Sequence, residues 1–430
     1  MFIQNKFMRV IFILFIAMVL SAFKGTLESR HNTSGIKIPI PGNDFGKYID
    51  ETRERIKQAT SKESLKDEWI EKRLPFRHKP DDARCADSKP YKGALLIHGL
   101  TDSPFIMGDL RDRFKDKCYW VRSILLPGHG TIPGDLVNVD YSEWVEAIDA
   151  GIDSFKDKVE ELYLVGYSTG TSLALHHVLR KNNPTNIKGL ILLAPGIKEK
   201  TPIGFAAGSI ASLGRIIPKM KFLFGLHQDE DKVKYESFAI NAGAQFHDLT
   251  KSLSKLANKK PHITIPTFMA ISSVDATVDP DCAGVFFCNE LKNSKNRMIW
   301  YTAKEKKYDP KETCEGFTVK RIKNHDEGIL DYAHLSLPVH PENEYYGRNG
   351  KYKSCLTYSK SNIEEEQDDP NFRICKNEKI GKENSLMYGE HTSENKKEYV
   401  VRRLTFNPMF DDMMKDIFDF IKSIEHKKKN

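Results

Sequence analysis

The sequence predicts an α/β architecture: a mostly parallel sheet with helices on both faces and an inserted cap. Three observations carry this expectation. From Tyr91 onward, short apolar runs alternate with turn signals and helical patterns, the rhythm of βαβ units. Several of those runs are apolar on both faces, as a parallel strand covered on two sides must be. Between Gly196 and Pro261 the alternation stops, and helical, glycine-interrupted sequence intervenes before the next strand. A chain of 430 residues, 40% hydrophobic, can bury a sizeable core as one large domain with insertions or as two domains.

At the N-terminus, Lys6 and Arg9 precede an apolar run from Val10 to Leu20 that continues to Phe23. A positive stretch before a short apolar run is the pattern of a secretory signal, with Ala22 the best small residue for cleavage. The run is shorter than the roughly 20 residues that a membrane-crossing helix needs. Residues 1–23 are therefore expected to be a signal peptide, with an uncleaved N-terminal anchor and membrane-surface association as the alternative. The chain is expected to be exported, to a periplasm or beyond the cell.

Residues 24–90 form a polar, irregular extension with one helix-like piece around Asp50 to Lys72. The main domain, 91–430, comes next. Its expected strands are KGALLIHG, YWVRSILLPGHG, EELYLVGYS, IKGLILLAPG, TIPTFMAISSVD and RMIWYTA. Ser103-Pro104 offers an N-cap and a first-turn proline before the helical FIMGDLRDRFKDK. A second helix is DYSEWVEAIDAGIDSF, and a third follows Ser168 directly. The cap insertion spans 197–261, and loop insertions fall at about 305–324 and at 342–400. The last is charged and poor in aliphatics, which predicts a long loop excursion with local structure. Near the C-terminus, Phe410, Met414, Ile417, Ile421 and Ile424 recur at helical spacing after Asn407-Pro408, as in a sheet-covering helix.

The formal charge of +7, from 66 basic and 59 acidic residues, is small and spread along the chain, which gives no support to nucleic-acid binding. Seven cysteines stand at 85, 118, 282, 288, 314, 355 and 375, none in a Cys-x-x-Cys spacing, so a structural zinc site is not expected. In an exported chain they predict disulfides stapling loops, with one thiol left over.

The chemistry centres on Gly166-Tyr167-Ser168-Thr169-Gly170. A glycine two residues either side of a serine removes the side chains that would obstruct a sharp strand-to-helix turn. The hydroxyl then stands above the strand end, and the helix N-terminus points at the reacting oxygen. The apolar LYLV before the motif and the helix-compatible TSLALHHVL after it supply that context. The backbone N–H of Thr169 is one expected oxyanion donor. LLIHGLTDSP supplies a strand, a turn and a helix start, making the Leu100 N–H the second. His98 in that turn reads as a structural histidine that packs the loop.

Taken together, these residues resemble the α/β-hydrolase superfamily, in particular its branch of monoglyceride lipases, lysophospholipases and serine-aminopeptidase-like hydrolases. The matching residues are His98-Gly99, Pro127-Gly128-His129-Gly130, Trp144, Gly166-x-Ser168-x-Gly170 and Ala194-Pro195, covering roughly 91–340 and the last helix. The resemblance implies the α/β-hydrolase fold and an acid in an Asp-x-x-Val-x-Pro pattern. SSVDATVDP matches with Asp275, Val278 and Pro280, and Asp279 is the rival. The histidine should come later still, in the chain order Ser, Asp, His. His334 in DYAHLSLPVHP is preferred to His325 in IKNHDEG and to His340, although it stands farther beyond Asp275 than the family's spacing. The insertion carrying Cys314 accounts for the excess.

The resemblance further implies a serine hydrolase that cleaves carboxylic esters through Ser168, His334 and Asp275 by way of an acyl-enzyme, without metal or organic cofactor. The apolar cap stretch IGFAAGSIASLGRIIPKMKFLFGL, with scattered lysine and arginine, suits a lid that faces a lipid ester such as monoacylglycerol or lysophospholipid. A short-chain esterase and a peptidase-like hydrolase are the near alternatives. A non-catalytic hydrolase-like binding protein is the alternative from another class.

Overall fold

The computed structural model describes residues 27–63, 65–88, 90–200, 229–259, 262–303, 314–321, 327–358, 369–381 and 385–425. The described strands are β1 (Phe76–His78), β2 (Lys92–Ile97), β3 (Trp120–Ile124), β4 (Glu161–Tyr167), β5 (Ile187–Leu193), β6 (Thr267–Ser272), β7 (Arg297–Thr302), β8 (Phe317–Arg321), β9 (Leu386–Gly389) and β10 (Val400–Arg403). The first eight form one sheet in the order β1-β3-β2-β4-β5-β6-β7-β8. Strand β1 runs antiparallel to β3, and every other neighbouring pair in that sheet is parallel. Strands β9 and β10 make a separate parallel pair.

Each strand expected from an apolar run is present, and the reason for the two-faced hydrophobicity is visible in the packing. Along β2, Leu95 and Ile97 join one core while Ala94 and Leu96 join the other. The same alternation divides Leu162 and Leu164 from Tyr163 and Val165 in β4. Burying both sets removes apolar surface from water on either side of the sheet, at roughly 25 cal/mol per Å².

The first core takes side chains from α1 (Phe45–Ala59), and α2 (Asp67–Arg73) comes after that helix in the chain. The second core takes Leu110 and Phe114 from α3 (Gly108–Asp116). Returning to the first core, α4 (Tyr141–Asp153), α5 (Thr169–Arg180), α6 (Ile240–Lys259) and α7 (Pro280–Glu290) all pack there. Helix α8 (Pro370–Asn377) lies within the third insertion, and the C-terminal α9 (Phe410–Ile424) closes the second core with Phe410, Met413, Met414, Ile417, Phe420 and Ile421.

Several stretches differ from expectation. The single helix around Asp50 to Lys72 is two helices, α1 and α2, and Asp44 caps the first by accepting from the Gly46 and Lys47 N–H groups at 2.8 and 3.2 Å. Strand β8 lies within the second insertion, and its mostly exposed edge position explains why it lacks an apolar run. The final part of the 197–261 insertion is α6, which lies along α5 on the body of the domain, with His176 Nε2 3.1 Å from Ser252 Oγ. The apolar cap stretch 203–226 and the N-terminal signal fall outside the described residues. Among the described residues, no helix is long and apolar enough to cross a membrane.

Three disulfides join Cys85 to Cys118, Cys288 to Cys314 and Cys355 to Cys375, leaving Cys282 as a thiol. The first ties the N-terminal extension to the turn after α3, and the other two join loops to α7 and α8 through Cys288 and Cys375.

Candidate active site

Strand β4 ends at Tyr167 and α5 begins at Thr169, so Ser168 makes the whole turn, with φ 53° and ψ −119°. That region costs a non-glycine residue on the order of 1–3 kcal/mol and persists only where the surroundings impose it. Here they do. A Cβ on Gly166 would come within 2.7 Å of the Gly170 carbonyl carbon and oxygen, and one on Gly170 within 2.2 Å of the Ile97 carbonyl oxygen. Glycine at both positions lets α5 start directly over the ends of β4 and β2.

The imidazole that meets Ser168 is that of His334, at the start of a short turn, His334–Ser336. Its Nε2 is 2.9 Å from Ser168 Oγ, and its Nδ1 is 2.6 Å from Asp275 Oδ2. A carboxylate only accepts, so Nδ1 carries the proton and Nε2 is left to accept from the serine hydroxyl. Asp275 lies in the turn after β6, where its Oδ1 accepts from the Thr277 and Val278 N–H groups at 2.8 and 2.9 Å. All three side chains are buried, with relative exposures of 6% for Ser168, 4% for His334 and 1% for Asp275.

The neighbouring turn after β2 lies against the serine: a Cβ on Gly99 would sit 3.1 Å from Ser168 Cβ. The Leu100 and Thr169 N–H groups donate to no backbone carbonyl among the described residues. Both belong to turns that border Ser168. His98 is held on both nitrogens, with Nδ1 2.8 Å from the Gly99 carbonyl and Nε2 accepting from the Leu126 N–H at 3.1 Å. Burial pushes its pKa well below the usual histidine range, so it packs the loop as a neutral ring. His129 is likewise buried and lowered to about 4, and Trp144 donates to the Pro127 carbonyl at 3.0 Å. These two hold the Pro127–Gly130 loop.

Two of the three rival residues, Asp279 and His340, are occupied elsewhere. Asp279 caps α7 through the Asp281 and Cys282 N–H groups at 3.1 and 3.2 Å. The His340 N–H donates to Asp109, and its Nε2 is 3.5 Å from Asp411. His325 lies outside the described residues. Among those described, no group of three or more His, Cys, Asp and Glu side chains is placed to hold a metal ion.

Four contributors were not singled out from the sequence. The Tyr167 ring lies 5.4 Å from the His334 ring, and its hydroxyl donates to the His334 carbonyl at 3.3 Å. Glu390 accepts from the His334 N–H at 2.9 Å and pairs with Arg403. Asp102 shares the space around Gly99, where its Oδ2 would lie 3.2 Å from an added Cβ. Burial pushes Asp102 up to about 6, against the pull of Lys234 and His334. Tyr167 sits inside the serine motif and is the one a reader of the motif could have found. For the others, the sequence carries no signal beyond a charged residue in a loop or, for Arg403, at the end of a short strand.

A doubly wound, mostly parallel sheet with a strained serine between strand and helix, and a buried histidine and carboxylate brought to it from later loops, defines the α/β-hydrolase class. Within that class, residues 88–304, just over half of the 430, match the model of the serine aminopeptidase S33 family, and the chain belongs to that family. It is 25% identical over 195 residues to a thermostable monoacylglycerol lipase of Bacillus sp. (strain H-257), covering 45% of this chain and 75% of the lipase. It is 28% identical over 144 residues to the phospholipase YtpA of Bacillus subtilis (strain 168), covering 33% of this chain and 55% of that protein. A solved monoacylglycerol lipase of Paleococcus ferrophilus, 21% identical, aligns over 53% of this chain and 87% of its own, with a TM-score of 0.41.

Proposed function

We propose that the protein is a serine hydrolase of carboxylic esters, acting through Ser168, His334 and Asp275 and an acyl-enzyme. The observation that carries this reading is the unbroken chain from Ser168 Oγ through His334 to Asp275, at 2.9 and 2.6 Å. As Ser168 attacks an ester carbonyl, His334 Nε2 takes its proton. Asp275 keeps the other ring nitrogen protonated and stabilises the imidazolium that forms. The Thr169 and Leu100 N–H groups receive the developing oxyanion, an interaction stronger in the transition state than in the ground state. Protonated His334 then gives its proton to the departing alcohol oxygen, and water, deprotonated by the same nitrogen, releases the acid.

The substrate is proposed to be a lipid ester of the monoacylglycerol or lysophospholipid kind. Support comes from the two lipid-hydrolase relatives and from the apolar 203–226 stretch. The test is a hydrolysis panel run on the purified chain, from acetyl esters to long-chain monoacylglycerol and lysophospholipid, with aminoacyl amides included. The expected result is a higher kcat/KM for the long-chain lipid esters, abolished in Ser168→Ala. Preference for acetyl esters or for aminoacyl amides would refute the lipid assignment.

A further inference from the structure

His334 has four polar groups, and each has a partner. The ring nitrogens meet Ser168 and Asp275, and the carbonyl accepts from the Tyr167 hydroxyl. The fourth, the backbone N–H, donates at 2.9 Å to Glu390 Oε2. Glu390 belongs to the 342–400 insertion, outside the residues that match the family model. Strand β9 carries it to the site: the Tyr388 N–H donates to the Gly328 carbonyl and the Leu330 N–H to the Tyr388 carbonyl, both at 2.8 Å. The segment that leads into His334 is thereby bridged to β9. The Glu390 N–H in turn donates to Asp331 Oδ1 at 2.7 Å.

Glu390 is fully buried, with 0% exposure. A buried carboxylate costs several kcal/mol unless it is paired and its lone pairs are filled. They are filled here. Oε1 accepts from Arg403 Nε at 2.7 Å and from the His391 N–H at 2.9 Å, and Oε2 accepts from Arg403 Nη2 at 3.0 Å besides His334. Burial alone would raise this carboxyl, but the Arg403 charge and these hydrogen bonds hold it down at about 2, so it is an anion at any working pH. Arg403 also donates to Thr277 Oγ1 at 2.9 Å, and the Thr277 N–H is one of the two that hold Asp275 Oδ1. One ion pair therefore grips the backbone of the histidine loop with one partner and the aspartate turn with the other.

We propose that Glu390 is a positioning residue for His334, that Arg403 extends the same constraint to the Asp275 turn, and that the 342–400 insertion serves the reaction by supplying Glu390 to this brace. The inference rests on the Ser168–His334–Asp275 reading. A pair that merely closed the β9–β10 unit would have no need to reach the N–H of a residue 56 positions away. The physical stake is large, since a displacement of about 1 Å in a reacting group can cost a factor of about 100 in rate.

The test uses the full chain with Glu390→Gln, Arg403→Met, the charge-neutral double variant and Tyr352→Phe. Tyr352 lies in the same insertion, and its hydroxyl donates to Glu236, a residue that makes no hydrogen bond to Ser168, His334 or Asp275 among those described. For Glu390→Gln the expected result is a fall in kcat of about ten- to a hundredfold with KM within about twofold. Fluorophosphonate labelling of Ser168 should slow by the same factor. The downfield proton signal of His334 Nδ1–H should broaden or vanish. The double variant, which leaves no unpaired buried charge, should recover thermal stability but not kcat, and it stands in for Glu390→Gln should that protein fail to fold. Tyr352→Phe should lower the melting temperature and leave kcat per folded molecule unchanged. A double variant with wild-type kcat and wild-type labelling rate would overturn the positioning role while leaving the triad reading intact. Wild-type protein unlabelled at Ser168 would overturn both.

Discussion

The two halves of the proposed site are built on different scales. The serine is placed by five consecutive residues: β4 ends, α5 begins, and Gly166 and Gly170 let them meet at a backbone angle that Ser168 would not adopt in isolation. The histidine is placed by residues far apart in the chain, Tyr167, Asp275 and Glu390, with Arg403 behind the last. A nucleophile can thus be fixed by the shape of one turn, whereas its base needs a scaffold of buried polar contacts. The two halves should therefore fail differently when perturbed.

The elbow should fail most completely. Gly170→Ala puts a methyl group 2.2 Å from the Ile97 carbonyl oxygen, a backbone atom that cannot rotate away. The expected outcome is a destabilisation of about 3 kcal/mol or more, or no folded protein, read by urea unfolding. A fully stable variant would mean that α5 does not start so close over β2. Next in size, removing the Cys355–Cys375 disulfide opens a loop with a sequence separation of 20 and should cost about 3 kcal/mol. The Cys375 carbonyl accepts from Arg402 Nε at 2.8 Å, next to Arg403, so this loss should weaken the histidine side in particular. The Cys355→Ser/Cys375→Ser protein should lose kcat per folded molecule, with its elbow intact in a structure. Unchanged kcat would separate the insertion from the site.

A smaller effect concerns the pH dependence of the same insertion. Asp231 is buried where Tyr345 and Tyr346 donate to it, near Glu236 and Lys234, and burial pushes its pKa up to about 7 from 3.8. The folded chain then holds a proton between about pH 4 and 7 that the unfolded chain has released, so stability falls as pH rises through that window. Glu390 has the opposite sign: lowered from 4.5 to about 2, it contributes stability above about pH 4.5 that is lost as pH falls toward 2. Asp231→Asn, which mimics the protonated form, should flatten the decline between pH 5 and 7 by roughly 1 kcal/mol per pH unit and leave the acid limb untouched. An unflattened melting-temperature profile would contradict the raised pKa.

The smallest effect should be favourable. Gly108 opens α3 with φ −62° and nothing within 4 Å of an added Cβ, so Gly108→Ala should stabilise by about 0.5–1 kcal/mol in chemical unfolding. The contrast with Gly170 isolates close approach, and not glycine content, as what the elbow requires.

These differences also explain what could be read in advance. The sheet was legible because a strand covered on two faces must be apolar on both, and β2, β4, β5 and β6 are. Ser168, Gly166 and Gly170 were legible because their constraint is written in contiguous residue types. Asp275 and His334 came from chain order and a motif, and the structure brings both to Ser168. Strand β8 escaped notice because an exposed edge strand shows no apolar run. Glu390 and Arg403 escaped because, in a charged stretch, a buried ion pair looks like two solvated residues. The pairing of β9 with β10, the bridge from β9 to the 328–330 segment and the Asp331 contact carry Glu390 under His334.

Everything proposed for the site depends on Ser168 being the nucleophile and on His334 activating it. The direct measurement is to treat the folded chain with a fluorophosphonate and map the adduct by mass spectrometry in wild type, Ser168→Ala and His334→Ala. The expected result is one adduct, on Ser168, absent from Ser168→Ala and at least about a thousandfold slower to form in His334→Ala. An adduct on another residue, or undiminished labelling of either variant, would contradict it.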